Sequence, residues 1–167
     1  TVKPGKYKAV LSYGDLTSES SITVESDPRL NVSQKNIDEV YDTLKDLEQV
    51  YQTLADASKQ LVESKDIASA YKANLKKLDK EKYKAQIEAS DSITKSIDKL
   101  LDKYFGKVDK RQGITRNPEI TVLNRLYAAQ SYIGSRQSSQ TATEAQLYEH
   151  AENAVDKAVK ETKSLLN

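Results

Sequence analysis

Small and apolar residues recur at Ile37, Val40, Leu44, Leu47, Tyr51, Leu54, Ser58 and Leu61, in steps that alternate between three and four. That spacing lies close to the 3.6-residue turn of an α-helix and paints one stripe along it. A stripe of this kind needs a partner helix to hide it. No Gly or Pro interrupts the chain between Ser33 and Phe105. Beyond Leu61 the stripe slips by one position through Ala68, Tyr71, Leu75 and Leu78, as it does on a straight helix, because 3.6 does not divide a heptad evenly.

Capping signals divide this stretch. Ser33 is a good N-cap; Asp38, Glu39 and Asp42 crowd the start, and Lys72, Lys76 and Lys77 the end, complementing the helix dipole. The pattern predicts one helix over about 34–78. A rival break lies at Ser64 to Asp66, with Ser64 as cap. Asp79 is placed to cap a second helix over about 81–105. Its stripe is Tyr83, Ile87, Ser90, Thr94, Ile97, Leu101 and Tyr104, widened by Ile93 and Leu100, and Gly106 closes it. A loop over 106–117 contains Gly113. Asn117 and Pro118 then open a third helix over about 118–134, because Pro at the first helical position has no N–H to waste. Ile120, Leu123, Leu126, Tyr127 and Ile133 form its apolar side. After a Ser-rich turn, Thr141 and Glu144 make a capping box for a last helix over about 142–166. That helix presents Leu147, Ala151, Ala154, Val155, Ala158, Val159 and Leu165.

The first thirty residues follow another period. Tyr7, Ala9, Leu11 and Tyr13 alternate with Lys6, Lys8, Val10 and Ser12, and Ser20, Ile22 and Val24 repeat the alternation after a turn expected over Gly14 to Ser18. Asp27-Pro28 ends the second strand. An isolated hairpin is marginal in water, so its apolar face calls for a second sheet or a helix. The reading adopted is that residues 1–30 are the closing hairpin of an Ig-like sandwich, cut from a longer protein. Residues 31–167 form the helical region. The fold class is mainly α: an elongated, antiparallel, four-helix, coiled-coil-like bundle after a β-hairpin. The long first helix is expected to overhang or to pack on two helices stacked end to end.

Composition narrows the function. Among 167 residues, 26 Lys and Arg balance 25 Asp and Glu, which suits solvated helix faces better than a nucleic-acid footprint. No apolar run approaches the roughly 18 residues of a membrane span. Cys, Met and Trp are absent, and ten Tyr carry the aromatic content. The missing initiator Met reads as a mature or trimmed chain.

Three segments, taken in order, resemble the C-terminal region of bacterial BNR/Asp-box repeat proteins, a sortilin-like, glycosyl-hydrolase-like family. They are Pro4-Gly5-x-Tyr7 through Asp27-Pro28-Arg29; the long helix after it; and Arg111-Gln112-Gly113 with Asn117-Pro118 and Leu123-Asn124-x-Leu126. The resemblance implies an upstream propeller and export to the periplasm or cell surface. It carries no functional residue onto this chain: an Asp-box needs a Trp, which this sequence lacks, and the family's catalytic or ligand-binding residues would lie in the upstream propeller.

Chemistry-bearing residues are sparse. His150 is the only His and sits between Glu149 and Glu152; metal sites gather three or four ligands, so a solvated helix position is the reading. A lone His without Cys also removes Cys/His and Ser-His-Asp arrangements. The carboxylate pairs Asp38 with Asp42 and Glu149 with Glu152 look outward rather than across a cleft. The basic run Lys72, Lys76, Lys77, Lys80, Lys82 and Lys84 is broken by Asp79 and Glu81 and reads as a solvated face. Tyr41, Tyr132 and Tyr148 are placed to stack on sugar rings if exposed. Asn31-Val32-Ser33 is formally a glycosylation sequon. No catalytic, cofactor-binding or metal residue is assigned, and no cofactor. The expected role is a non-catalytic structural or interaction module. Its partners would be upstream domains of the same polypeptide, or a second copy or another protein through its helix faces. A carbohydrate- or cell-envelope-binding module is the alternative, and an accessory part of an upstream glycosidase is another.

Overall fold

The alternating stripe builds one uninterrupted helix. In the computed structural model of the chain, which describes residues 2–107, 120–135 and 138–167, α1 spans Gln34–Leu78. Ser33 caps it by accepting the N–H of Asn36 on its hydroxyl at 3.2 Å. Ser64 to Asp66 stay helical, so the rival break does not occur. With no Gly or Pro there, nothing removes a rung from the hydrogen-bond ladder.

Asp79 stops α1, and its carboxylate accepts the N–H groups of Glu81 and Lys82 at 3.1 and 3.0 Å. It thus caps an intervening turn, and α2 begins later than 81, spanning Lys84–Phe105. Gly106 closes α2 at φ +87°, a conformation that glycine adopts without a steric penalty.

The third helix departs further from expectation. Asn117, Pro118 and the Arg111 to Gly113 stretch lie outside the described residues. Among the described ones, α3 spans Val122–Gly134, with Ile120 and Thr121 preceding it. Its cap is a reciprocal pair: the Thr121 hydroxyl accepts the N–H of Asn124 at 3.0 Å, and the Asn124 carbonyl accepts the N–H of Thr121 at 3.2 Å. Counted from this start, the buried face is Val122, Leu126, Ala129 and Ile133. Ile120 and Tyr127, expected inside, are 72% and 66% exposed, and Leu123 also faces outward. The frame is set by which residues meet α1 and α4, not by apolarity alone. The last helix, α4, spans Ala142–Leu166 behind a capping box of Thr141 and Glu144.

Long-range pairs fix the layout. Lys65 pairs with Asp98 and Lys72 with Asp91, so α2 runs antiparallel to the second half of α1. Tyr51 meets Gln130 and Leu44 lies against Gly134, so α3 runs antiparallel to the first half. Asn36 meets Ser139 and Asp46 lies beside Tyr148, so α4 runs parallel to α1. The four helices therefore make three rods: α1, then α2 and α3 in succession, then α4. This is not a simple alternation of four antiparallel helices. Where three rods overlap the core is fully buried, with Leu47, Leu54, Leu61, Ile97, Tyr104, Leu126 and Val155 at its centre. At about 1.5 Å per residue α1 is far longer than α4. Among the described residues its last turns have only α2 beside them, and Ile67, Tyr71, Leu78 and Ile93 lie exposed there.

Ahead of the helices, β1 (Gly5–Tyr13) pairs antiparallel with β2 (Leu16–Val24). The turn is Gly14-Asp15, tighter than the five-residue turn expected, and Gly14 takes φ +56°. Positive φ at the first turn position is what a two-residue hairpin requires. Asp27 then turns the chain toward α1, its carboxylate accepting the backbone N–H of Arg29 at 3.0 Å and pairing with the guanidinium.

Candidate functional site

The hairpin is amphipathic, and its apolar face is bare. The register sets Tyr7 opposite Ile22, Leu11 opposite Ser18 and Tyr13 opposite Leu16, all on one face. The other face carries Lys6, Val10 and the Lys8–Glu19 ion pair at 2.5 Å. Leu11 is 74% exposed, Tyr13 85% and Leu16 74%. Neither strand packs on any helix. Lys3 ties the hairpin's base to the helical body: its ammonium lies 2.8 Å from an Asp42 oxygen, 3.4 Å from Asp38 and 4.6 Å from the centre of the Tyr41 ring. The Asp42 hydrogen bond, joined by the charge of Asp38, raises the Lys3 pKa above its usual value. Tyr7 donates its hydroxyl to the Lys3 carbonyl at 2.7 Å and steadies this clamp. Asp38 and Asp42 thus serve a lysine rather than each other.

A second feature is a groove between α1 and α3 of ≈ 600 Å³. Tyr41 and Tyr51 form its walls, Leu44, Leu47 and Gly134 its floor, and Lys45, Glu48 and Gln130 its polar rim. The Tyr51 hydroxyl is 3.1 Å from the Gln130 side-chain oxygen, to which it donates. Partial burial raises the Tyr51 pKa, helped by neighbouring Tyr127. Apolar walls with a few placed polar groups are the usual make-up of a small-molecule site.

The other singled-out residues are scattered. Of the three tyrosines expected to stack on sugars, only Tyr41 borders this groove. Tyr132 is exposed elsewhere on α3. Tyr148 is half-buried between α1 and α4, where burial, with the charges of Glu152 and Asp46, raises its pKa. Tyr51 was legible only as a core position, because a stripe does not reveal that one edge of it borders a gap. His150 lies exposed on α4, in a shallow cleft with Lys103, Arg125 and Lys157. In the basic run, Lys72 is paired with Asp91 and Lys82 lies over the Tyr83 ring. No three His, Cys, Asp or Glu side chains converge as metal ligands among the described residues. No helix among them is long and apolar enough to cross a membrane. Comparison with protein-family models, with curated proteins and with solved structures finds no match.

Proposed function

We propose that this chain is a non-catalytic structural and interaction module whose hairpin belongs to a larger β-sheet, the last strands of an Ig-like sandwich. The observation that carries the reading is the hairpin's bare apolar face beside a helical body with a complete core of its own. Two strands alone hide too little apolar surface to be stable in water. A face with Leu11, Tyr13 and Leu16 uncovered is one that a second sheet would cover. The partner is then upstream polypeptide of the same protein, in keeping with the resemblance to exported BNR-repeat, glycosyl-hydrolase-like proteins. The alternating step from Ile37 to Leu61 supports a coiled-coil-like role for α1 as the spine.

The test is amide hydrogen exchange over Lys6 to Val24, in this chain alone and joined to the polypeptide preceding it. Strand amides are expected to exchange nearly freely in the first case and to be protected in the second. Equal, strong protection in both would refute the reading. So would glycosidase turnover by this chain alone.

The Tyr41–Tyr51 groove favours a second reading, a carbohydrate- or cell-envelope-binding module. Aromatic walls beside Lys45, Glu48 and Gln130 suit a sugar's apolar faces and hydroxyls. A glycan array with no binder, or binding untouched by Tyr51→Ala, would remove it.

A further inference from the structure

The cleft around His150 is basic, in contrast to the acidic cleft between α1 and α4 that Asp46, Glu152 and Asp156 line. Two further clefts are mixed, as a chain with 26 basic and 25 acidic residues would suggest. The α1–α2 cleft has Lys59 against Glu63 and Asp102, and the α1–α3 groove has Lys45 against Glu48. The cleft of ≈ 390 Å³ at the meeting point of α2, α3 and α4 has no acidic lining residue among the described residues. Lys103 of α2, Arg125 of α3, and His150 and Lys157 of α4 border it, with the Asn153 amide beside them.

Three helices bring these groups together, and no two of the basic side chains from different helices are near in sequence. Lys103 is neutralised by Glu161 at 2.6 Å. Arg125 and Lys157 have no ion-pair partner among the described residues. Val122 and Arg125 also stand in the first turn of α3, where the helix dipole adds positive potential. Val122, Ala154, Ala158 and exposed Ile120 supply an apolar wall.

We propose that this cleft binds a small organic oxyanion, a phosphate ester carried on an apolar body. Arg125 takes the phosphoryl group through its planar fork of N–H donors, Lys157 adds a point charge, and Asn153 and His150 add hydrogen bonds. The apolar body lies along Ile120 and Val122. A guanidinium fork prefers the two-oxygen edge of such a group to a single hydroxyl, so a neutral sugar or alcohol is not the ligand.

Phenyl phosphate is the probe, titrated into the isotopically labelled chain and followed by amide chemical shifts, with phenol and inorganic phosphate as separate arms. Saturable shifts are expected over Thr121 to Leu126 and His150 to Ala158, with a dissociation constant of about 1 mM or tighter. Phenol gives none, and inorganic phosphate binds more weakly because it lacks the apolar contact. Arg125→Gln weakens binding about tenfold. Lys157→Gln weakens it severalfold, and Lys59→Gln, in the α1–α2 cleft, leaves it unchanged. All three positions reach solvent, so a thermal melt equal to the unsubstituted chain's establishes that each variant is folded. A titration that stays linear overturns the proposal. So does loss of binding equal for Lys59→Gln and Arg125→Gln, which is diffuse surface attraction. Inorganic phosphate binding as tightly as the ester overturns the apolar part.

Discussion

Replacing Tyr104 by Phe removes a single oxygen from the interior. The ring is fully buried where α2 ends against α4, and its hydroxyl donates to the Ala158 carbonyl at 2.7 Å. It also lies 3.1 Å from the Thr162 hydroxyl, on a residue itself buried. A buried hydrogen bond between neutral groups is worth about 1 kcal/mol net. The Thr162 hydroxyl can turn onto its own helix when its partner is removed, which keeps the cost from rising much higher. Tyr104→Phe is therefore expected to cost about 1 kcal/mol, or roughly 2–4 °C in Tm for a chain of this size. Tyr104→Ala adds a cavity and is expected to cost about 3–5 kcal/mol. Urea unfolding followed by circular dichroism gives both values, and a cycle with Thr162→Val isolates the shared hydrogen bond. Burial pushes the Tyr104 hydroxyl's pKa up; the Thr162 hydrogen bond opposes this, and the Glu161 charge adds to it. With the folded pKa above the unfolded one, the contribution is present below about pH 10 and is lost as pH rises through the folded value. Tyr104→Phe is thus expected to flatten the alkaline fall in stability. A neutral Tyr104→Phe together with a Tyr104→Ala cost below about 1 kcal/mol would refute the claim that α2 is joined to α4 through this side chain.

Three further outcomes check other parts of the structure. Leu126→Ala is expected to cost about 2–5 kcal/mol and Ile120→Ser less than about 0.5, measured by urea unfolding; the reverse order would restore the face that apolarity alone suggested. Thr141→Ala removes the hydroxyl that accepts the Glu144 N–H and is expected to cost about 1 kcal/mol, read as a lower melting temperature, with Thr141→Ser restoring most of it. The Asp91 pKa is held below its ordinary 3.8 chiefly by the Lys72 hydrogen bond. Its stabilising effect is therefore present above that value and lost as pH falls through the lower folded one. Lys72→Met is expected to return Asp91 toward the usual carboxylate range in a carboxyl-carbon NMR titration.

The helical stripes were legible in some places and misleading in others. Ile37 to Leu61 and Ile87 to Tyr104 could be read because a core on one side imposes a period, and a period survives in one dimension. Ser33 and the Thr141–Glu144 box were legible because capping is local. Thr121 and Asn124 escaped notice because Asn117-Pro118 offered a stronger local start signal. The tyrosine groove and the cleft at Arg125 could not be seen at all. Tyr41 and Gln130, or Lys103, Arg125 and Lys157, become neighbours only through the order in which the helices pack.

By itself the chain's order of residues determined that a two-period segment precedes four helices, where α1 and α4 begin and end, and which positions along α1 need cover. Those follow from forces between residues a turn apart. Only the tertiary structure decided that α1 both packs on α2 and α3 in succession and overhangs α4, where either was expected, that Ile120 and Tyr127 stay in water, that Tyr104 reaches α4, and that the hairpin stands uncovered. Each depends on which surfaces of unequal length meet across the chain, and no local preference records a neighbour fifty residues away.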